Sequence, residues 1–145
     1  MQADTRRRGL ARIAFILLCH KDPEAIVSQA RRLTSAGDYV AIHFDARANA
    51  SDFAAIQTAL TDNPNVAFAP RRIKCGWGEW SLVAATLETL RAAEATWPDA
   101  GHFYMVSGDC MPIKSAEYAH AFLERRDCDY IEAVDFFASG WIRTG

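Results

Sequence analysis

Apolar residues in this chain fall into short dense runs, and between the runs they recur every three or four positions. Arg12 to Cys19 (RIAFILLC) is one continuous apolar run with β-branched and aromatic members, the pattern of a strand covered on both faces. Asp22-Pro23-Glu24 then offers an N-cap, a proline for the first helical position and a first-turn acid. Ile26, Ala30 and Leu33 follow on one helical face until Gly37 closes the helix. Tyr39 to Phe44 (YVAIHF) predicts the second strand. Ser51 is placed to cap a short helix carrying Phe53, Ile56 and Leu60, which Asn63-Pro64 ends, and Val66 to Phe68 predicts a brief third strand.

A loop rich in glycine and tryptophan runs from Pro70 to Trp80. Ser81 then opens a helix in which Leu82, Ala85, Leu87, Leu90 and Ala93 sit near helical spacing. His102 to Val106 predicts a fourth, central strand, Ser115 caps a last helix (AEYAHAFLERR), and Tyr130 to Val134 reads as a further strand. Strands alternating with helices require crossovers, so the expected fold class is α/β: a mostly parallel, Rossmann-like sheet with helices on both faces, in a single domain.

Composition narrows the choices. The 145 residues are 50% hydrophobic and 23% charged, enough apolar material for one core, and a net charge of -2 gives the chain as a whole no attraction for nucleic acid or an anionic membrane surface. Arg6 to Arg8 form the one dense basic run, in a flexible basic tail over 1–11 that precedes the folded part, 12–145. The apolar stretch after it is too short for a membrane span and lacks a cleavage site, so a cytoplasmic protein is expected, with any membrane association peripheral. Cys19, Cys75, Cys110 and Cys128 are far apart and form no CxxC, so free thiols are expected.

Ligands of open parallel sheets bind beyond the carboxyl ends of the strands. Those ends read Cys19-His20-Lys21, His43-Phe44-Asp45, Cys75-Gly76-Trp77-Gly78-Glu79-Trp80 and Ser107-Gly108-Asp109. No GxGxxG follows the first strand, and neither a P-loop nor a GxSxG elbow occurs, which removes the common dinucleotide, NTPase and hydrolase signatures.

The blocks CHKD, IHFD, WGEWSLVAATLETL and YMVSGDCMPIKS, in this order, resemble the core-2/I-branching N-acetylglucosaminyltransferase and xylosyltransferase family, glycosyltransferase family 14, over about Ile13 to Ile131. The acid of the Ser-Gly-Asp block stands one place early relative to that family's pattern. The resemblance implies a GT-A-like fold and transfer of N-acetylglucosamine or xylose from a UDP-sugar to a glycan or other hydroxyl acceptor, inverting and independent of metal. It places Leu17, Cys19, His20 and Asp45 around the uracil and ribose of the donor and Trp77 in the donor pocket. Ser107, Gly108 and Asp109 lie beneath the diphosphate and sugar, and Cys110 and Glu132 lie on the acceptor side. No cofactor and no metal site is implied, and the catalytic base is expected downstream of Gly145, so this chain reads as the N-terminal, donor-binding part of a longer enzyme.

The chemistry agrees at several positions. A carboxylate at a strand end, as at Asp45, can accept both hydrogen bonds of a ribose diol, Trp77 offers a flat apolar face, and a glycine at 108 lets a diphosphate approach the backbone. Lys21, Arg71, Arg72 and Lys74 could neutralise phosphate or simply be solvated. His20 and His43 are as readily structural as ligand-binding. Trp80 is expected to anchor the following helix in the core, and Cys19, Cys75 and Cys128 to be small buried hydrophobes, whereas Cys110 sits in the key turn with no base beside it. Asp127-Cys128-Asp129 spells Asp-x-Asp but follows a helix at the amino end of the sheet, where a surface turn is expected. Two other readings stay open: a non-catalytic α/β module binding carbohydrate or protein through the Trp-rich loop, and a metal-dependent hydrolase built on His20, His43, Asp45 and Asp109.

Overall fold

The apolar run of the first strand forms β1 (Ile13–Cys19), whose side chains alternate between two buried faces. β2 (Tyr39–Phe44) pairs with it in parallel and is buried at every position. This computed structural model describes residues 12–125 and 128–130. Between the two strands lies α1 (Pro23–Thr34), and α2 (Ala50–Leu60) leads to β3 (Val66–Phe68), which pairs with β2. α3 (Trp80–Thr96), β4 (His102–Ser107) and α4 (Ala116–Glu124) complete the described elements. All four strands are parallel in the order β3-β2-β1-β4, the Rossmann-like arrangement expected of a GT-A-like domain.

The period-two alternation of β1 and β2 decides which helices cover which face. Leu17, Cys19, Val40, Ile42 and Phe44 meet Ile26, Ala30 and Leu33 of α1 and Ile56 and Leu60 of α2. On the opposite face Ala14, Ile16, Tyr39 and Ala41 meet Ala93 of α3 and Trp97, whose ring stacks on Tyr39 at 4.7 Å. Each large aliphatic side chain withdrawn from water in this way contributes about 1.5–3 kcal/mol, which is why the two faces fix the register. A buried polar contact ties α4 to the start of β1: Asp38, 2% exposed, accepts from the Ile13 N–H and lies 2.9 Å from the His120 ring.

Several expectations are corrected here. Asn49, not Ser51, caps α2, its side chain accepting from the Ser51 N–H. Asp22 precedes α1 in a left-handed conformation and its carboxylate makes no capping bond. Trp80 is no core anchor; it opens α3 with 72% of its surface exposed, and the helix buries the small residues Ala85, Thr89 and Ala93 instead. Among the described residues β4 is bordered by β1, and Tyr104 and Met105 are 63% and 61% exposed; whether β4 is central depends on residues outside those described. The strand expected over Tyr130 to Val134 falls outside the described residues except for Tyr130, which is in no strand.

Candidate functional site

The chain runs β1, β2, β3 in one direction across the sheet and then returns to place β4 on the other side of β1. The strand order reverses between β1 and β4, and crevices in open parallel sheets form at the carboxyl ends flanking such a reversal. A cleft of about 70 Å³ lies at that position, lined by Leu18 to Asp22 and Ala25 on one side and by Ser107, Gly108 and Asp109 on the other. Its size suits one phosphate or part of a sugar, with the remainder of any larger ligand lying across the open strand ends. A groove of about 800 Å³ runs along β4 and the segment after it, from His102 to Lys114; it is larger, but its lining is mostly apolar.

Backbone hydrogen bonds bring the predicted segments together. The Gly108 N–H donates to the Leu18 carbonyl at 3.2 Å, seating the turn after β4 on the end of β1, and the Asp45 N–H donates to the Cys19 carbonyl at 2.9 Å. Asp45, Cys19 and the Ser107–Asp109 turn therefore stand in one row along the carboxyl edge. Asp45 Oδ1 accepts from the Arg47 N–H at 2.7 Å and from the Cys75 N–H at 3.3 Å, so the same carboxylate holds the loop that carries Trp77. α1 begins at Pro23, beside the cleft, and the N-terminal end of a helix favours an anion.

The charged groups divide by role. Lys21 reaches to 3.5 Å from Asp109, both largely exposed. Arg72 is structural: it donates to the carbonyls of Phe44, Asp45 and Ala48 and lies over the rings of Phe44 and Phe53. Arg71 pairs with Glu88. Lys74 is exposed, with no hydrogen bond or ion pair among the described residues.

Other expected members occupy different places. Leu17 is fully buried in the core, so its side chain supports the site from beneath rather than lining it. His43 faces the α3 side of the sheet, 2% exposed, where its Nε2 accepts from the Ile73 N–H; burial lowers its pKa, and it cannot join His20 in a metal site. Among the described residues no three His, Cys, Asp or Glu side chains gather as metal ligands. His20 is exposed at the cleft rim. Trp77 is 98% exposed and stands clear of the cleft. Glu132 lies outside the described residues, as does Asp127 of the Asp-x-Asp sequence.

Gly108 owes its identity to packing. A Cβ added there would sit 2.8 Å from Ile26 Cδ1 and 3.1 Å from Cys19 Cβ, so the space a side chain would need is filled by α1 and β1 rather than left for a ligand. The thiols also differ from expectation. Cys19 is buried, with its thiol pushed up to about 12, but Cys75 is half-buried and Cys128 exposed. The exposed Cys110 thiol lies 3.2 Å from Ser107 Oγ and accepts from the Ser107 N–H, contacts that lower its pKa.

Sequence reasoning passed over Gln29. It lies 3% exposed on the buried face of α1 and donates from Nε2 to the carbonyls of Ser107 and Cys110. Its place between Ile26, Ala30 and Leu33, on the stripe that must be apolar, is the signal that would have found it.

Among the described residues no helix is long and apolar enough to cross a membrane. A comparison with curated proteins gave no match. A comparison with protein families matched residues 13–141 to the family described as Core-2/I-Branching enzyme. With that match spanning most of its length, and the blocks of the resemblance set along one sheet edge, the chain belongs to the Core-2/I-branching enzymes, a family of glycosyltransferases.

Proposed function

We propose that this chain binds the UDP moiety of a sugar nucleotide along the carboxyl ends of β2, β1 and β4, for inverting, metal-independent transfer of N-acetylglucosamine or xylose to a hydroxyl acceptor. The observation that carries the reading is the shared cleft at the strand-order reversal. There the Ser107–Asp109 turn, Lys21 and the start of α1 converge beside Asp45.

In this reading the Asp45 carboxylate keeps Oδ1 on the Arg47 and Cys75 amides and turns Oδ2 to the ribose diol, a charge-assisted contact with defined geometry. Lys21 and the α1 N-terminus face the diphosphate and stabilise the charge that grows on the leaving UDP. Ser107 and Asp109 lie beneath the diphosphate and the transferred sugar. Inversion needs a general base that takes the acceptor's proton as its oxygen attacks the anomeric carbon. Glu132, expected on the acceptor side, lies outside the described residues.

Titration calorimetry with UDP, with and without EDTA, tests the reading. Binding that EDTA leaves unchanged is expected; no binding, or binding that EDTA abolishes, counts against it.

The exposure of Trp77 and Trp80, 98% and 72%, favours one second reading, carbohydrate or protein binding by the Trp-rich loop without catalysis. Trp77→Ala abolishing glycan binding, with Asp45→Ala leaving UDP binding intact, would select it.

A further inference from the structure

We propose that Gln29 is a positioning residue for the donor site: its buried amide fixes the Ser107–Cys110 turn in the shape that presents Ser107 and Asp109 to the ligand. The inference rests on the donor-binding reading of that turn.

The geometry is specific. Nε2 donates to the Ser107 carbonyl at 2.9 Å and to the Cys110 carbonyl at 2.6 Å, so a single amide group bridges the first and last residues of the turn. The turn's other bonds are local or exposed: Cys110 N–H to the Ser107 carbonyl, the Ser107 N–H and hydroxyl with the Cys110 thiol, the Gly108 N–H to the Leu18 carbonyl, and the Lys21–Asp109 ion pair. Without Gln29 the turn would be closed on itself by the contacts between Ser107 and Cys110 and joined to the rest of the fold by the Gly108 bond to β1 and the exposed Lys21–Asp109 pair. With it, both ends are fixed to the middle of α1, a helix packed on both β1 and β2.

Stability alone does not account for this arrangement. Ser107, Asp109 and Cys110 are exposed residues, so the turn that Gln29 holds is not itself part of the core. Placing a glutamine among Ile26, Ala30 and Leu33 instead withdraws an amide from water, and its Oε1 is buried with no hydrogen-bond partner among the described residues. A core position that carries an unsatisfied acceptor in order to hold an exposed turn is explained by the turn's need for one shape. Side chains that orient a binding segment from beneath in this way act through geometry rather than by touching the ligand.

The test uses the full chain with UDP as probe. Gln29→Met keeps the side chain's length and removes both donors; Gln29→Asn keeps the amide but is too short to bridge both carbonyls, and is measured identically if the Met variant fails to fold. Hydrogen exchange over residues 107–110 reports the clamp without reference to any ligand, and calorimetry reports UDP affinity. Faster exchange in the turn together with at least roughly tenfold weaker UDP binding is expected. Unchanged exchange overturns the clamp. Faster exchange with unchanged UDP affinity overturns the positioning role while leaving the donor reading intact. Failure of the unaltered protein to bind UDP removes the donor reading itself, and the positioning role with it.

Discussion

The Lys21 ammonium lies 3.5 Å from the Asp109 carboxylate and so joins the loop after β1 to the turn after β4 across the mouth of the cleft. With side chains 52% and 71% exposed, the pair holds little of the fold together; exposed ion pairs contribute roughly 0–1 kcal/mol. Its partners are therefore available to a ligand. Lys21→Ala should weaken UDP binding about tenfold, the worth of one charge-assisted hydrogen bond, while moving the melting temperature by less than about 3 °C. Asp109→Asn should leave UDP affinity equal or improved, because it frees the ammonium for phosphate. Calorimetry and thermal unfolding on both variants separate these effects, and a Lys21→Ala protein that binds UDP normally would remove Lys21 from the site.

Asp45 has two tasks that substitution can part. The amide of Asp45→Asn can still accept from the Arg47 and Cys75 N–H groups through its carbonyl oxygen, so the fold should be kept while UDP affinity falls about tenfold with the lost charge. Asp45→Ala should abolish measurable UDP binding. It should also cost about 1–2 kcal/mol in urea unfolding, because two backbone donors lose their acceptor. Equal stability of the two variants would show that the carboxylate does not hold the Trp77 loop.

Much of this architecture is legible in the sequence because the buried strands are written as unbroken apolar runs. β2 and β3 fall where expected, and the strand ends that carry chemistry follow from the parallel topology. What escaped depends on three-dimensional contact. Asn49 and Ser51 are equally good caps by residue type, and only the backbone angle at Asn49 decides between them. The reason for glycine at 108 is Ile26, more than eighty residues earlier in the chain, and the role of Gln29 is held by carbonyls 78 and 81 residues away. Trp80 departs from the sequence expectation because hydrophobicity says only that a tryptophan can be buried, whereas α3 meets the sheet through small residues that let it approach closely.

The close approach at Gly108 makes a prediction opposite to that for an open glycine. Gly108→Ala places a methyl 3.1 Å from Cys19 Cβ and 2.8 Å from Ile26 Cδ1. The Ile26 terminus can rotate, but Cys19 Cβ is fixed to β1, so the turn must lift off the strand end. A loss of about 1–3 kcal/mol is expected, with weakened UDP binding, and adding Ile26→Val should recover part of the stability. No recovery in the double variant would place the strain elsewhere.

His43 gives the fold a pH limit. Its Nε2 must keep a lone pair for the Ile73 N–H at 2.9 Å, and burial lowers its pKa from 6.5. Because the unfolded chain then takes up a proton that the folded chain resists, this contribution is complete above about pH 6.5 and declines as the pH falls through that value toward the folded pKa. Stability should fall by at most about 1.4 kcal/mol per pH unit from this group. His43→Gln, which retains an acceptor but does not titrate, should flatten the urea midpoint between about pH 5 and 6.5. An unchanged pH profile in that variant would assign the decline to other groups.

The cysteines should react in an order set by burial and hydrogen bonding. Cys19 is buried, donates to the His43 carbonyl at 3.6 Å, and has its thiol pushed up to about 12 by desolvation, so it should resist iodoacetamide until the protein unfolds. Cys75, half-buried, is raised by desolvation and by the neighbouring Asp45 charge and should react slowly. Cys110 is exposed, and the Ser107 hydroxyl and N–H favour its thiolate, so it should react at least about tenfold faster than Cys75. Peptide mapping after brief labelling gives the order directly. Repeating the labelling with saturating UDP-sugar links the chemistry to the site: a donor seated against Ser107, whose Oγ lies 3.2 Å from the Cys110 thiol, should slow labelling of Cys110 and leave that of the exposed Cys128 unchanged. Equal labelling of Cys110 with and without donor would place the ligand away from this turn.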